Sequence, residues 1–188
     1  MIRFLKRNKI FSLLCFISII CFIFGSFFFA NLDIKDKEIV SHNIYELLFH
    51  QKSYFTFLLN YGFCFFLIWI LGISIIGVFF ILFLYSYMVF IIAFEFTACI
   101  STFGFSSIMM ILLYCFPKII MLLFSFILSY YASLFSNYLM KHLFFHKEYS
   151  FSSIMKQYIK IYLLSFVGLF FSTFIEYLNY RYLFKIFY

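Results

Sequence analysis

Charged residues make up only 11% of this 188-residue chain, and none occurs across the 42 positions from Ser53 to Phe94. With 66% hydrophobic residues and a mean hydropathy of +1.08, too little polar surface remains to cover a water-soluble globule of this size. The sequence therefore reads as a membrane protein, with the lipid bilayer as its first partner. Enzyme signatures are missing too: there is no GxSxG elbow, no glycine-rich phosphate loop and no paired acid constellation, so no catalytic residue is named and no enzyme activity is expected. The five cysteines, Cys15, Cys21, Cys64, Cys99 and Cys115, lack CxxC spacing and lie in or at the ends of apolar segments. That argues against a disulfide framework or a zinc site, and they read as small packing residues. His142 and His146 are four apart, but no glutamate follows His142 and no third ligand is evident, so no metal and no cofactor are expected. A single proline, 3 Arg and 4 Ala stand against 35 Phe, 16 Tyr and 11 Lys, an imbalance that fits codon bias in an AT-rich genome.

What remains is a succession of apolar spans. Arg3, Lys6, Arg7 and Lys9 precede a 21-residue uncharged run from Ile10 to Ala30, which is longer than a signal-peptide core and reads as a retained first span. Asn31 to Ser53 is the most polar stretch. Within it Val40, Ile44, Leu47 and Leu48 recur at helical spacing, which predicts a short amphipathic helix at the surface. The uncharged run from Ser53 to Phe94 is about twice what one crossing needs. Its strongest breakers are Gly72 and Gly77 in Leu71-Gly72-Ile73-Ser74-Ile75-Ile76-Gly77, so it reads as two spans joined by a tight turn.

Phe105 to Phe116 is apolar but only 12 residues long, ends at the sole proline, Pro117, and reads as a re-entrant or buried half-helix. The architecture expected is an all-α polytopic membrane protein forming one integral membrane domain over residues 1–188. It has spans near 10–30, 54–75, 78–98, 119–140 and 161–180, the half-helix before the fourth, an external loop 31–53 and a cytoplasmic loop 141–160. The net charge of +7 resides in short basic segments beside the spans, which points to orientation rather than nucleic-acid binding. Its distribution favours the N-terminus inside and the C-terminus outside.

Small and polar residues form stripes on several spans, where they let helix backbones approach and hydroxyls bond across. Ser125, Ser129 and Ser133 follow an i, i+4 ladder continued by Asn137; Ser165, Gly168 and Ser172 lead to Glu176; Ser18, Cys21 and Gly25 form a weaker set. Two uses stay open, packing within the bundle and docking of a partner helix. Glu95 and Glu176 fall in or near the membrane, where an ionisable side chain is costly; both lie near outer ends and within reach of Lys118 or Arg181.

The block Trp69-Ile70-Leu71-Gly72-Ile73-Ser74-Ile75-Ile76-Gly77, then Gly104, then Phe116-Pro117, then Ser172-Thr173-Phe174-Ile175-Glu176-Tyr177 resembles the stage II sporulation protein M family. The resemblance covers roughly Phe55 to Tyr188, and the Leu-Gly-x-Ser-Ile-Ile-Gly block is its most specific part. It implies a five-span, non-enzymatic membrane scaffold of spore-forming bacteria. Such a scaffold recruits two peptidoglycan-degrading partners, stage II sporulation proteins D and P, and holds them at the septum during engulfment of the forespore. It also implies residence in the mother-cell membrane. The alternative is a transporter or permease-like subunit, in which the half-helix would line a pathway.

Overall fold

The computed structural model describes residues 9–49, 54–104, 108–145 and 151–183, and all regular elements among them are helical. Arg3, Lys6, Arg7, Lys52, the first residues of the expected half-helix (105–107), His146, Lys147, Glu148 and Lys185 lie outside the described residues. The helices are α1 (Lys9–Ala30), α2 (Ile34–Phe49), α3 (Tyr54–Gly72), α4 (Gly77–Phe103), α5 (Ile108–Phe145) and α6 (Phe151–Leu178), which closes in a π-helical turn, Asn179–Leu183. Four segments of the described chain are long and apolar enough to cross a membrane: Lys9–Ala30, Gly77–Phe103, Ile111–Leu143 and Ser152–Tyr182. In α3 the segment Tyr61–Gly72 is apolar but shorter.

Polarity is inverted relative to a water-soluble bundle. Phe79, Phe83, Phe16 and Val167 are largely exposed, whereas Ser125, Ser129, Ser133, Ser136, Ser165, Ser172, Thr173, Lys118, Glu176 and Asn179 are buried. In water that arrangement would leave apolar side chains wet and polar ones dry; in lipid it puts each group where its cost is lowest.

Contacts set the helix directions. Ser18 bonds Tyr85, the backbone at Gly25 lies against the Phe90 carbonyl, and the rings of Phe29 and Phe94 meet edge to face, so α1 runs parallel to α4. Phe135 stacks on Tyr158, Gly168 lies beneath the Phe124 ring, and Ser172 bonds the Pro117 carbonyl, so α5 and α6 are antiparallel. Trp69 stacks on Tyr162 while Tyr54 meets Phe174, which makes α3 antiparallel to α6. One end of the bundle therefore gathers Lys9, Lys141, Lys156 and Lys160, all exposed, with no acid among the described residues. The other end carries α2 and the residue before it, where Asp33, Asp36 and Glu38 are balanced by Lys35 and Lys37, with Arg181 at the end of the last helix. At that second end Ile44 of α2 is buried with Phe29, Ala98, Cys99, Ile111, Tyr114 and Cys115, so the expected amphipathic helix caps the bundle.

Two sequence expectations need correction. The described part of the expected half-helix, 108–116, and the fourth span over 119–140 belong to one continuous helix, α5, with Pro117 inside it. Proline lacks the N–H that would bond the carbonyl four residues back, which normally breaks a helix. Here the Asn179 side-chain amide donates to that carbonyl, on Leu113, at 2.6 Å, so the orphaned acceptor is satisfied from a neighbouring helix. The second correction concerns the loop 141–160. α5 continues to Phe145 and α6 begins at Phe151, so Lys141, His142, Lys156 and Lys160 stand on helices rather than in a loop. At 38 residues α5 is about 57 Å long, well over the roughly 30 Å of a bilayer core, and the excess projects at the basic end.

Candidate functional site

The turn between α3 and α4 forms from hydrogen bonds within the segment: Ile73 N–H to Ile70 O at 3.0 Å, Ser74 N–H to Leu71 O at 3.0 Å and Gly77 N–H to Ser74 O at 3.1 Å. Gly77 is required there because a Cβ would lie 1.7 Å from the Leu71 carbonyl oxygen. At Gly72 a Cβ would lie 2.1 Å from the Tyr158 hydroxyl, which donates to the Trp69 carbonyl at 2.7 Å. Ser136 donates to Ser74 O at 2.6 Å. The carbonyls at the end of α3 and in the turn, which the helix itself cannot satisfy, are thus met by side chains of α5 and α6. Gly104, just after α4, has φ of 67° and returns its N–H to Ile100 O at 2.9 Å, a left-handed conformation that favours glycine.

The predicted stripes face inward. Ser125, Ser129 and Ser133 on α5, and Ser165, Gly168 and Ser172 on α6, are all buried, and Gly168 admits the Phe124 ring. Ser125 bonds its own helix at Leu122 O, while the hydroxyls of Ser129, Ser133 and Ser165 have no hydrogen-bond partner among the described residues. The α5 ladder continues through Ser136, which is fully buried, rather than through Asn137, which is half-buried. Ser18 of the weaker α1 set bonds the Tyr85 hydroxyl, and a Cβ at Gly25 would come within 2.5 Å of Phe90 O.

About 12 to 15 Å in from the end that carries α2, counted along α4 from Phe103 and along α5 from Ile108, lies the principal buried charge cluster among the described residues. Lys118 on α5 is 4% exposed and pairs with Glu95 on α4. Its ammonium also sits 3.8 Å over the Tyr114 ring. Glu176 on α6 is 3% exposed, within the fields of both Lys118 and Glu95, and Tyr61, Tyr114 and Tyr180 surround the group. Of the pairings open to the two glutamates, Glu95 takes Lys118, whereas Arg181 bonds the Tyr177 hydroxyl. Glu176 does not reach the surface, as its position near an outer end suggested; helix continues past it through Leu183, and its side chain is buried. A cavity of about 360 Å³ between α3, α4 and α5 is lined by Glu95, and a smaller one of about 130 Å³ by Lys118 on its other side.

Sequence reading offered Lys118 as a partner for the glutamates but missed Asn179, Ser136 and Tyr158 as site-forming residues. Asn179 and Ser136 each sit three positions beyond a predicted stripe, after Glu176 and Ser133, so the same face-tracking extended by one step finds them. Nothing local marks Tyr158, whose role depends on a glycine 86 positions away. Among the described residues no group of three His, Cys, Asp or Glu side chains is placed to hold a metal ion, and all five cysteines are free. No family model, curated protein or solved structure matches this chain.

Proposed function

We propose that this chain is a non-enzymatic, five-span membrane scaffold of endospore formation, with its N-terminus in the cytoplasm and its C-terminus outside. It recruits peptidoglycan-degrading partners, of the kind represented by stage II sporulation proteins D and P, and holds them at the septum in the mother-cell membrane during engulfment. The fifth span in this reading is α3, whose 19 residues would extend about 28 Å as a helix. Support for orientation comes from the lysines gathered at one end, since basic residues stay on the cytoplasmic side.

One observation carries the reading: the separate marks of the family resemblance fall on joints of a single bundle. Gly72 and Gly77 form the hairpin turn, Gly104 ends α4, and Ser172 bonds the carbonyl of Pro117. Glu176 lies one turn further, against Lys118, the residue after that proline. Residues scattered over about a hundred positions thus serve one packing scheme, which is what a shared fold with the family would require.

Pull-down of the tagged chain from sporulating cells tests the proposal, with cell-wall hydrolases expected among the captured proteins. A second reading, a transporter or permease-like subunit, is favoured by the cavity beside Glu95. Solute flux into liposomes by the purified protein, together with capture of no hydrolase, would replace the first reading with the second.

A further inference from the structure

The cavity beside Glu95 has a definite chemistry. Its volume, about 360 Å³, lies in the lower part of the range for small-molecule sites, roughly 300–1,000 Å³. Tyr61, Tyr87, Met88, Ile91 and Met121 supply aromatic and flexible apolar walls, and Glu95 supplies the carboxylate. Although bonded to Lys118, the Glu95 side chain keeps 29% of its surface open, whereas Lys118 keeps 5% and lines the smaller cavity on its far side. Tyr87, 52% exposed, stands at the mouth between α3 and α4, on a surface that faces lipid in the five-span arrangement.

We propose that this cavity binds an organic ammonium ion bearing an apolar tail, with its cationic head on Glu95. Charge selects the class. Glu95 is the charged side chain on the cavity wall, and its partner Lys118 is buried toward the smaller cavity, so the wall presents a local surplus of negative charge in a setting where an uncompensated charge is costly. A cation in the cavity removes that surplus, and the faces of Tyr61 and Tyr87 attract it further. An anion meets the surplus directly, and a neutral alcohol gains only the apolar walls. The phosphate of a zwitterionic lipid headgroup is disfavoured for the same reason as an anion, which points to a free lipophilic amine.

The test uses the full chain in dodecyl maltoside micelles, titrated with hexylammonium chloride while the thermal unfolding midpoint is followed, since a ligand of the folded state raises it. Hexylammonium should raise the midpoint saturably, and hexanol at equal concentration should not. Tyr87→Leu, at the exposed mouth, should weaken the apparent affinity several-fold. Glu95→Gln with Lys118→Met, which leaves no lysine buried alone, should weaken it at least tenfold. Equal stabilisation by hexanol, wild-type affinity in the double variant, or competition by lysophosphatidylethanolamine would each overturn the assignment to a free amine.

Discussion

Replacing Gly72 by Ala tests how the hairpin is fastened, because the added methyl has one well-defined obstacle. Its Cβ would lie 2.1 Å from the Tyr158 hydroxyl oxygen, 2.8 Å from the adjoining ring carbon and 3.0 Å from the Ala132 Cβ. Tyr158 cannot swing aside freely: it is 2% exposed, stacked on Phe135 at 4.6 Å and bonded to Trp69 O. Overpacking costs about 1–3 kcal/mol, and losing the hydroxyl's bond adds about 1. Against these stands a helix-propensity gain of less than about 1 kcal/mol for alanine over glycine. The net expectation is a loss of about 1–3 kcal/mol for Gly72→Ala. Tyr158→Phe alone should cost about 1 kcal/mol through the unpaired carbonyl. Because phenylalanine removes the atom at 2.1 Å, the double variant should be more stable than the two single losses predict, by about 1–2 kcal/mol of coupling. The assay is equilibrium unfolding in mixed dodecyl maltoside–SDS micelles, followed by far-UV circular dichroism. Additive losses within about 0.5 kcal/mol would refute the contact as the reason for the glycine.

The same assay applies at Pro117, where Asn179→Leu should cost about 1–3 kcal/mol by orphaning the Leu113 carbonyl, and Pro117→Ala should recover much of it by restoring the missing N–H; no recovery would contradict the pairing. Removing either member of the Lys118–Glu95 pair alone should destabilise by about 3–5 kcal/mol, and Lys118→Met with Glu95→Gln should be markedly milder than the sum. Glu176→Ala should impair assembly or function more than Glu176→Gln, which keeps size and hydrogen bonding; equal, wild-type behaviour of both in accumulation and sporulation assays would leave this buried carboxylate without a role. Reporter fusions after Lys9, Val40, Lys147 and Tyr188 should read inside, outside, inside and outside, and the same side for Val40 and Lys147 would exclude five spans.

Where a fold feature depended on a local pattern, the sequence displayed it. The turn at Gly72–Gly77 is visible because two glycines interrupt an otherwise continuous apolar run, and the inward stripes of α5 and α6 follow from 3.6-residue periodicity. Features that depend on a distant partner were hidden. Pro117 looked like a helix end because the residue that satisfies the carbonyl it orphans, Asn179, comes from another helix. Lys141 and Lys156 looked like loop residues because helix is expected to stop where the apolar run does, while α5 and α6 extend beyond it side by side. For the charge cluster, Glu95 with Lys118 was one of the readable options, but the burial of Glu176 depends on how α6 packs against its neighbours, with Lys118 of α5 close by.

The central claim, that the chain holds cell-wall hydrolases in place, is tested most directly by imaging fluorescently tagged hydrolases in sporulating cells that lack it. The account predicts that the hydrolases disperse along the membrane and that engulfment stalls, with both restored by the wild-type chain and not by Gly77→Leu, whose side chain would strike the Leu71 carbonyl. Hydrolases that still concentrate at the septum in the deletion strain would contradict it.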